Sequence, residues 1–313
     1  MITGITSFHA GHIAERLVSK GYEVHGLTRH VSNRDLDIKG VNVHLGDIRD
    51  YADIEEIIID INPEIIIHLA AQTPVEYSFT HESEIMQTNF IGTVNVAKIA
   101  RTLPYLEKFI FANSVEIYGN QNVFPITENN PINPASPYAV AKSASEIYLN
   151  YLHRGYNFPS IILRTANTYG RSKTYYFVIE HIIYEMLHGV KQIPMGVPES
   201  IRDFLYVEDE VDAYLKLITN DNPLILGETF NTGTGVGISI RDLFFKIRDK
   251  IGLECKPMWY SNSPRPYEIK SLIIDSGKLT ACTGWVPKYS LDKGLDKTID
   301  LWKRCLVLNN ESP

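Results

Sequence analysis

Tyr138 and Lys142 stand four residues apart in Ser136-Pro137-Tyr138-Ala139-Val140-Ala141-Lys142. On a helix that spacing puts both side chains on one face, about one turn apart. An ammonium near a phenol favours the phenolate and draws its pKa down from about 10. A tyrosine tuned in this way exchanges a proton with an alcohol near neutral pH. Ser114 follows the apolar run Phe109-Ile110-Phe111, read as a strand, and so stands at a strand's carboxyl end. In an open α/β sheet, ligands bind at that end. Ser114, Tyr138 and Lys142 together suit the removal of a hydroxyl proton while a hydride leaves the same carbon. Alone, Tyr-x-x-x-Lys is more often an ordinary solvated pair. The strand and serine before it, and a nucleotide-binding pattern at the N-terminus, lift it above that.

The elements that must position these groups alternate along the chain. Strands are expected at Glu23 to Leu27, Val41 to Leu45, Glu64 to Leu69 and Ile161 to Arg164, with helices between them. Glu64 to Leu69 is a continuous apolar run, as in a strand buried on both faces. This βαβ spacing predicts a doubly wound parallel α/β sheet, the Rossmann fold, over residues 1–170. Residues 171–313 are expected to form mainly a smaller α+β substrate lobe, with some later segments returning to the sheet. Only two or three residues precede the first glycine turn, where a parallel strand usually has roughly four to six. Either that strand is unusually short or the natural start lies upstream.

The 313 residues are 44% apolar and 21% charged, with a net charge of −7. That balance argues against nucleic acid or an anionic membrane as partner, and an anionic substrate would need a local basic cluster. No apolar run approaches the ~18 residues that span a membrane, and no basic-then-apolar leader opens the chain. Cys255, Cys282 and Cys305 are few, odd in number and without a Cys-x-x-Cys, which fits thiols of a reducing cytoplasm. His9 and His12 are read as helix-start residues, and no metal centre is expected.

With these residues in view, the chain resembles the extended short-chain dehydrogenase/reductase family, in particular its NAD(P)-dependent nucleotide-sugar epimerases and dehydratases. The resemblance runs from Thr3 to about Trp302 and is nearest to the branch of GDP-mannose 4,6-dehydratases and GDP-4-keto-6-deoxyhexose reductases. The family carries Gly-x-x-Gly-x-x-Gly where this chain has Gly4-Ile5-Thr6-Ser7-Phe8-His9-Ala10. Only Gly4 is kept, with Ser7 and Ala10 in the second and third places. Small residues still admit a pyrophosphate at the N-terminus of the next helix, so the resemblance implies cofactor contacts at Gly4, Ser7, Phe8, His9 and Ala10. Thr28-Arg29 replaces the carboxylate that would hold the ribose of NAD, and Arg29 would meet a 2′-phosphate; NADP is favoured over NAD. The resemblance also implies cofactor contacts at Asp47 and Ile48, by the adenine, and at Leu69, Ala70 and Ala71. It assigns the nucleotide-diphosphate sugar to Gln72, Asn167, Arg202 and Arg265, and it implies a homodimer.

Family members oxidise a sugar carbon, usually C4, passing its hydride to the nicotinamide while tyrosine takes the proton. Dehydratases among them have Thr, then Asp or Ser, then Glu, an acid and a base that expel the C6 hydroxyl. Here the residues are Ser114, Val115 and Glu116. Glu116 holds the base position, but Val115 has no proton to give, so the reading leans to 4-epimerisation or 4-keto reduction. 4,6-Dehydration is the alternative. A non-catalytic dinucleotide-binding regulator is a reading of another class, favoured by the altered turn and opposed by the intact Ser114, Tyr138 and Lys142.

Overall fold

The computed structural model describes residues 1–30, 39–171, 174–261 and 265–310. Strands form where apolar and β-branched residues run together. They are β1 (Ile2–Thr3), β2 (Val24–Thr28), β3 (Val41–Leu45), β4 (Ile65–His68), β5 (Lys108–Ser114) and β6 (Ser160–Thr165), all paired in parallel. Ile66, Phe109, Phe111 and Ile162 fill one face of this sheet, and Ile67, Ile110, Ile161 and Leu163 the other. Helices that cover both faces explain why these strands are apolar without alternation. They are α1 (Phe8–Ser19), α2 (Tyr51–Ile61), α3 (Val75–Ser78), α4 (Glu82–Ile85), α5 (Gly92–Ala100) and α6 (Pro137–Tyr156). A π-helical turn, Met86–Ile91, joins α4 to α5, so one helical run carries Asn89 from Glu82 to Ala100.

Later elements divide between this sheet and a second one. They run β7 (Asn167–Tyr169), α7 (Val178–Leu187), β8 (Gln192–Pro194), β9 (Ile201–Tyr206), α8 (Val207–Ile218), β10 (Thr229–Thr232), β11 (Gly237–Ser239), α9 (Ile240–Ile251), β12 (Lys256–Met258), β13 (Ser271–Leu272), α10 (Gly277–Thr283) and α11 (Leu291–Asn310). The main sheet has seven strands in the order β10-β6-β5-β4-β1-β2-β3. It winds outward from β1 through β2 to β3, then restarts at β4 and winds the other way. The crevice beyond the carboxyl ends of β1 and β4 is the switch point where such sheets take ligands. β10 completes the sheet from far along the chain, in register from Thr229 opposite Ile162 to Thr232 opposite Thr165. The second sheet is centred on β9, which pairs with β7, β11 and β13. It brings Arg202 to the edge of the same crevice.

Candidate active site

Ser114 is the last residue of β5. Its Oγ caps the 3-10 turn Val115–Tyr118 by accepting from the Glu116 amide at 3.2 Å. The chain then turns at Gly119, where φ is +57° and a Cβ would stand 1.9 Å from the Asn133 carbonyl oxygen, so no other residue fits. Helix α6 starts at Ser136, whose Oγ accepts from the Ala139 amide at 3.2 Å, with Pro137 in its first turn. Both are strong start signals, and they fix Tyr138 in the first turn with Lys142 one turn on. Both side chains are buried.

Burial pushes the Tyr138 phenol far above its ordinary pKa; Ser114 beside it pulls the other way, while Glu116 and Glu210 add to the rise. The lowering expected from Lys142 is not found. Its Nζ donates to the Ala112 carbonyl at 2.7 Å and sits over the Phe111 ring, and burial brings the ammonium itself down to about 7. A lysine turned to a backbone carbonyl, its ammonium disfavoured by burial, lends a phenolate little charge. Glu116 is buried between two partners, its charge reaching Tyr138 on one side and Arg202 on the other. Val115 is 1% exposed and belongs to the apolar core.

At the amino end, Gly4 takes φ +71°, and a Cβ there would lie 2.8 Å from Cα of Ala70. The turn therefore presses against the segment after β4, and the Ala70 amide donates to Thr3 Oγ1 at 3.2 Å. Ser7 precedes α1 without a side-chain cap, so the amides of Phe8, His9 and Ala10 begin a helix whose first turn points into the crevice. A bare turn that tolerates no Cβ, opening an uncapped twelve-residue helix, fits a dinucleotide pyrophosphate. Arg29 follows β2, and its charge reaches Asp47 and Glu84. Arg49 grips Asp47 through Nε and Nη2 at 3.0 and 2.6 Å; partial burial works against this, but the bonds and charge of Arg49 prevail and hold the Asp47 carboxyl below its usual range. Ile48 packs on Gly92, and Leu69, Ala70 and Ala71 follow β4 directly.

The residues assigned to the substrate are only partly together. Arg202 is buried, with Nη2 3.5 Å from Glu268 Oε1, and it feels Glu116, Glu268 and Arg265; burial, the largest influence, lowers its pKa. Asn167 lies on β7, beside β9, with a buried Oδ1 that has no hydrogen-bond partner. Gln72 is placed elsewhere: its side-chain amide donates to Glu84 at 3.2 Å, which puts it with the Arg29 group.

A family model described as GDP-mannose 4,6 dehydratase matches residues 1–298. The chain belongs to that family. This nucleotide-sugar epimerase/dehydratase is 30% identical over 317 residues to the UDP-glucose 4-epimerase of Mycolicibacterium smegmatis, covering 97% of this chain and 98% of that protein. Among solved structures it is similar to the UDP-glucose 4-epimerase of Thermotoga maritima with UDP-glucose, with a TM-score of 0.89, 30% identity, and coverage of 97% and 98%. The UDP-glucose 4-epimerase of Thermus thermophilus in complex with NAD gives a TM-score of 0.88 at 26% identity, covering 96% and 98%. Members of this family are NAD(P)-dependent enzymes on the Rossmann-like sheet described above.

Three side chains of the epimerase/dehydratase site were not readable as such. Glu268 stands three residues after Arg265, and nothing in that spacing tells that it faces Arg202. Arg171 stands in a stretch of polar and aromatic residues, yet it is buried, with its guanidinium over the rings of Phe177 and Phe8 at 3.9 and 4.6 Å. Glu210 lies in the acidic first turn of α8, a place where carboxylates normally stay in water. Only the packing of α8 on α1 reveals that it is buried.

Proposed function

We propose that this enzyme is an NDP-hexose 4-epimerase, with 4-keto reduction as the near variant. One observation carries the reading: Ser114, Tyr138 and Glu116 gather at the end of β5 while Val115, in the place of a second acid, is packed in the core. A bound nicotinamide dinucleotide supplies the acceptor and donor of hydride. Tyr138 takes the C4 hydroxyl proton and returns it, with Ser114 holding the same oxygen. Lys142, through its bond to Ala112, fixes the face of α6 that carries Tyr138. Arg202 and Arg265 pair with the substrate diphosphate, which a protein of net charge −7 otherwise repels. The buried Glu116 favours a second reading, 4,6-dehydration, in which one carboxyl serves both as acid and as base. Incubation with UDP-, GDP-, dTDP- and CDP-hexoses, with products read by mass and NMR, separates the two. An isomer of unchanged mass supports epimerisation, whereas loss of water moves the enzyme to the dehydratases.

For the cofactor we favour NADP over NAD. β2 ends in Thr28-Arg29, which offers a cation in place of a ribose-binding carboxylate. Titration of the protein with both dinucleotides tests this, and equal or tighter binding of NAD reverses it. The three unpaired cysteines support a reducing compartment, the cytoplasm. Exposed Val140, Ile147 and Tyr151 on α6 support a homodimer, which light scattering in solution tests.

A further inference from the structure

His9, the second residue of α1, brings Nε2 to 3.2 Å from Oε2 of Glu210 in α8. The His9 ring keeps 26% exposure at its edge, but these two atoms are sealed from solvent and neither has an aligned hydrogen bond. Glu210 is 1% exposed. Around the pair, Thr165 on β6, Thr168 on β7, Arg171 in the turn that follows, Tyr138 on α6 and Tyr214 on α8 face Glu210, while His12 and Arg171 face His9. Among the described residues, Arg171 is the arginine whose charge reaches Glu210. It is already matched by Glu180, whose Oε1 lies 3.4 Å from Nη1 and also accepts the Gly170 and Arg171 amides at 2.9 and 3.0 Å. Among the described residues, an ionised Glu210 would be a buried charge with no cation of its own, under a helix end suited to an anion.

We propose that His9 and Glu210 are a charge-sensing pair of the dinucleotide site, which binds the cofactor in the form where Glu210 carries its proton. This rests on the reading of Gly4 to Ala10 as the dinucleotide turn. Binding then takes up a proton near neutral pH, and affinity falls as pH rises. The direction follows from the surroundings. Burial raises the Glu210 carboxyl to about 7 against the opposing effects of Thr168, Arg171 and Thr165. Burial, with Arg171 and His12 acting the same way, takes His9 down to about 3, so the imidazole stays neutral and does not compete for the proton. As pH falls through about 7 Glu210 takes up its proton and the pair loses its charge; as pH rises the carboxylate and the pyrophosphate oppose one another at one helix end.

The test is calorimetric titration of the full chain with NAD and NADP at pH 6.5, 7.5 and 8.5, in buffers of different ionisation heat. We expect binding about tenfold weaker at pH 8.5 than at 6.5, with fractional proton uptake at pH 7.5. Both effects should vanish in Glu210→Gln or, if that variant does not fold, in Glu210→Leu. Flat affinity without proton uptake in the unmutated protein overturns the proposal, and so does a pH dependence that persists in either variant. Failure of the folded protein to bind either dinucleotide at pH 6.5 would instead remove the reading of the turn on which the proposal rests.

Discussion

Tyr138 is the residue on which the proposed chemistry turns, and its surroundings are unusual for a base. Burial and two carboxylates hold the phenol protonated, and only Ser114 acts in the other direction. The phenol therefore rests protonated, and it must give up that proton before it can take the one from C4. Tyr138→Phe should lower turnover by roughly 10²–10⁴, the usual worth of general acid–base catalysis, with nucleotide-sugar affinity nearly unchanged. Steady-state kinetics with whichever NDP-hexose the protein turns over checks it; turnover near that of the unmutated enzyme sinks the assignment. Lys142 carries a second prediction. Its folded pKa lies below the unfolded value, so its burial opposes folding in full below about pH 7 and ceases to do so as pH rises toward the ordinary lysine range. Lys142→Met should therefore raise stability by about 1–3 kcal/mol at pH 7 and by less at pH 9. Urea melts at the two pH values measure this, and a variant less stable at pH 7 would refute it.

At the scale of the element, the sheet was legible wherever a strand is apolar on both faces. Val24–Thr28, Ile65–His68, Lys108–Ser114 and Ser160–Thr165 all stand within a residue or two of their expected places, because continuous apolar runs have few other uses. β10 was not seen. Thr229-Phe230-Asn231-Thr232 is short and mostly polar, and it gains its place from register against β6 rather than from its own composition. The site was legible to the same degree: Ser114 and Tyr138 were brought together by strand and helix spacing, whereas the Lys142 bond to Ala112 and the burial of Glu210 depend on how elements meet. The turn before α1 gives the prediction proper to this scale. Gly4 combines a left-handed φ of +71° with a backbone neighbour 2.8 Å from where a Cβ would sit. Gly4→Ala should cost about 1–3 kcal/mol in strain and weaken dinucleotide binding at least tenfold. Thermal melts and dinucleotide titration would show it, and unchanged values for both would mean that the turn does not press on Ala70.

Across the whole molecule, one carboxylate ties the two sheets together. Asp203 of β9 accepts from the Thr234 and Gly235 amides at 3.0 and 2.9 Å and from the Thr234 hydroxyl at 2.6 Å, just beyond β10, and from the Ile274 amide beyond β13 at 3.3 Å. Its neighbour in sequence is Arg202, so the group proposed to hold the substrate diphosphate is braced by the same residue that joins the lobe to the main sheet. Sequence could not display this, since Arg202-Asp203 reads equally well as a local ion pair. The described helices include none long and apolar enough to cross a membrane.

β1, an inner strand of the main sheet between β4 and β2, is only two residues long and meets β2 and β4 through two residue pairs each, whereas β2 meets β3 through five and β5 meets β6 through six. The line along β1 is thus the sheet's thinnest seam, with stronger stitching on either side. A sheet built so should open along that line, the β2–β3 edge coming away as one cooperative unit while β4, β5, β6 and β10 stay paired. Native-state hydrogen exchange would see this as one shared, lower opening energy for the amides of Val24–Thr28 and Val41–Leu45 and a higher one for those of Phe109–Ser114. A single value across all seven strands would mean that helix packing, and not strand pairing, sets the cooperativity of this enzyme.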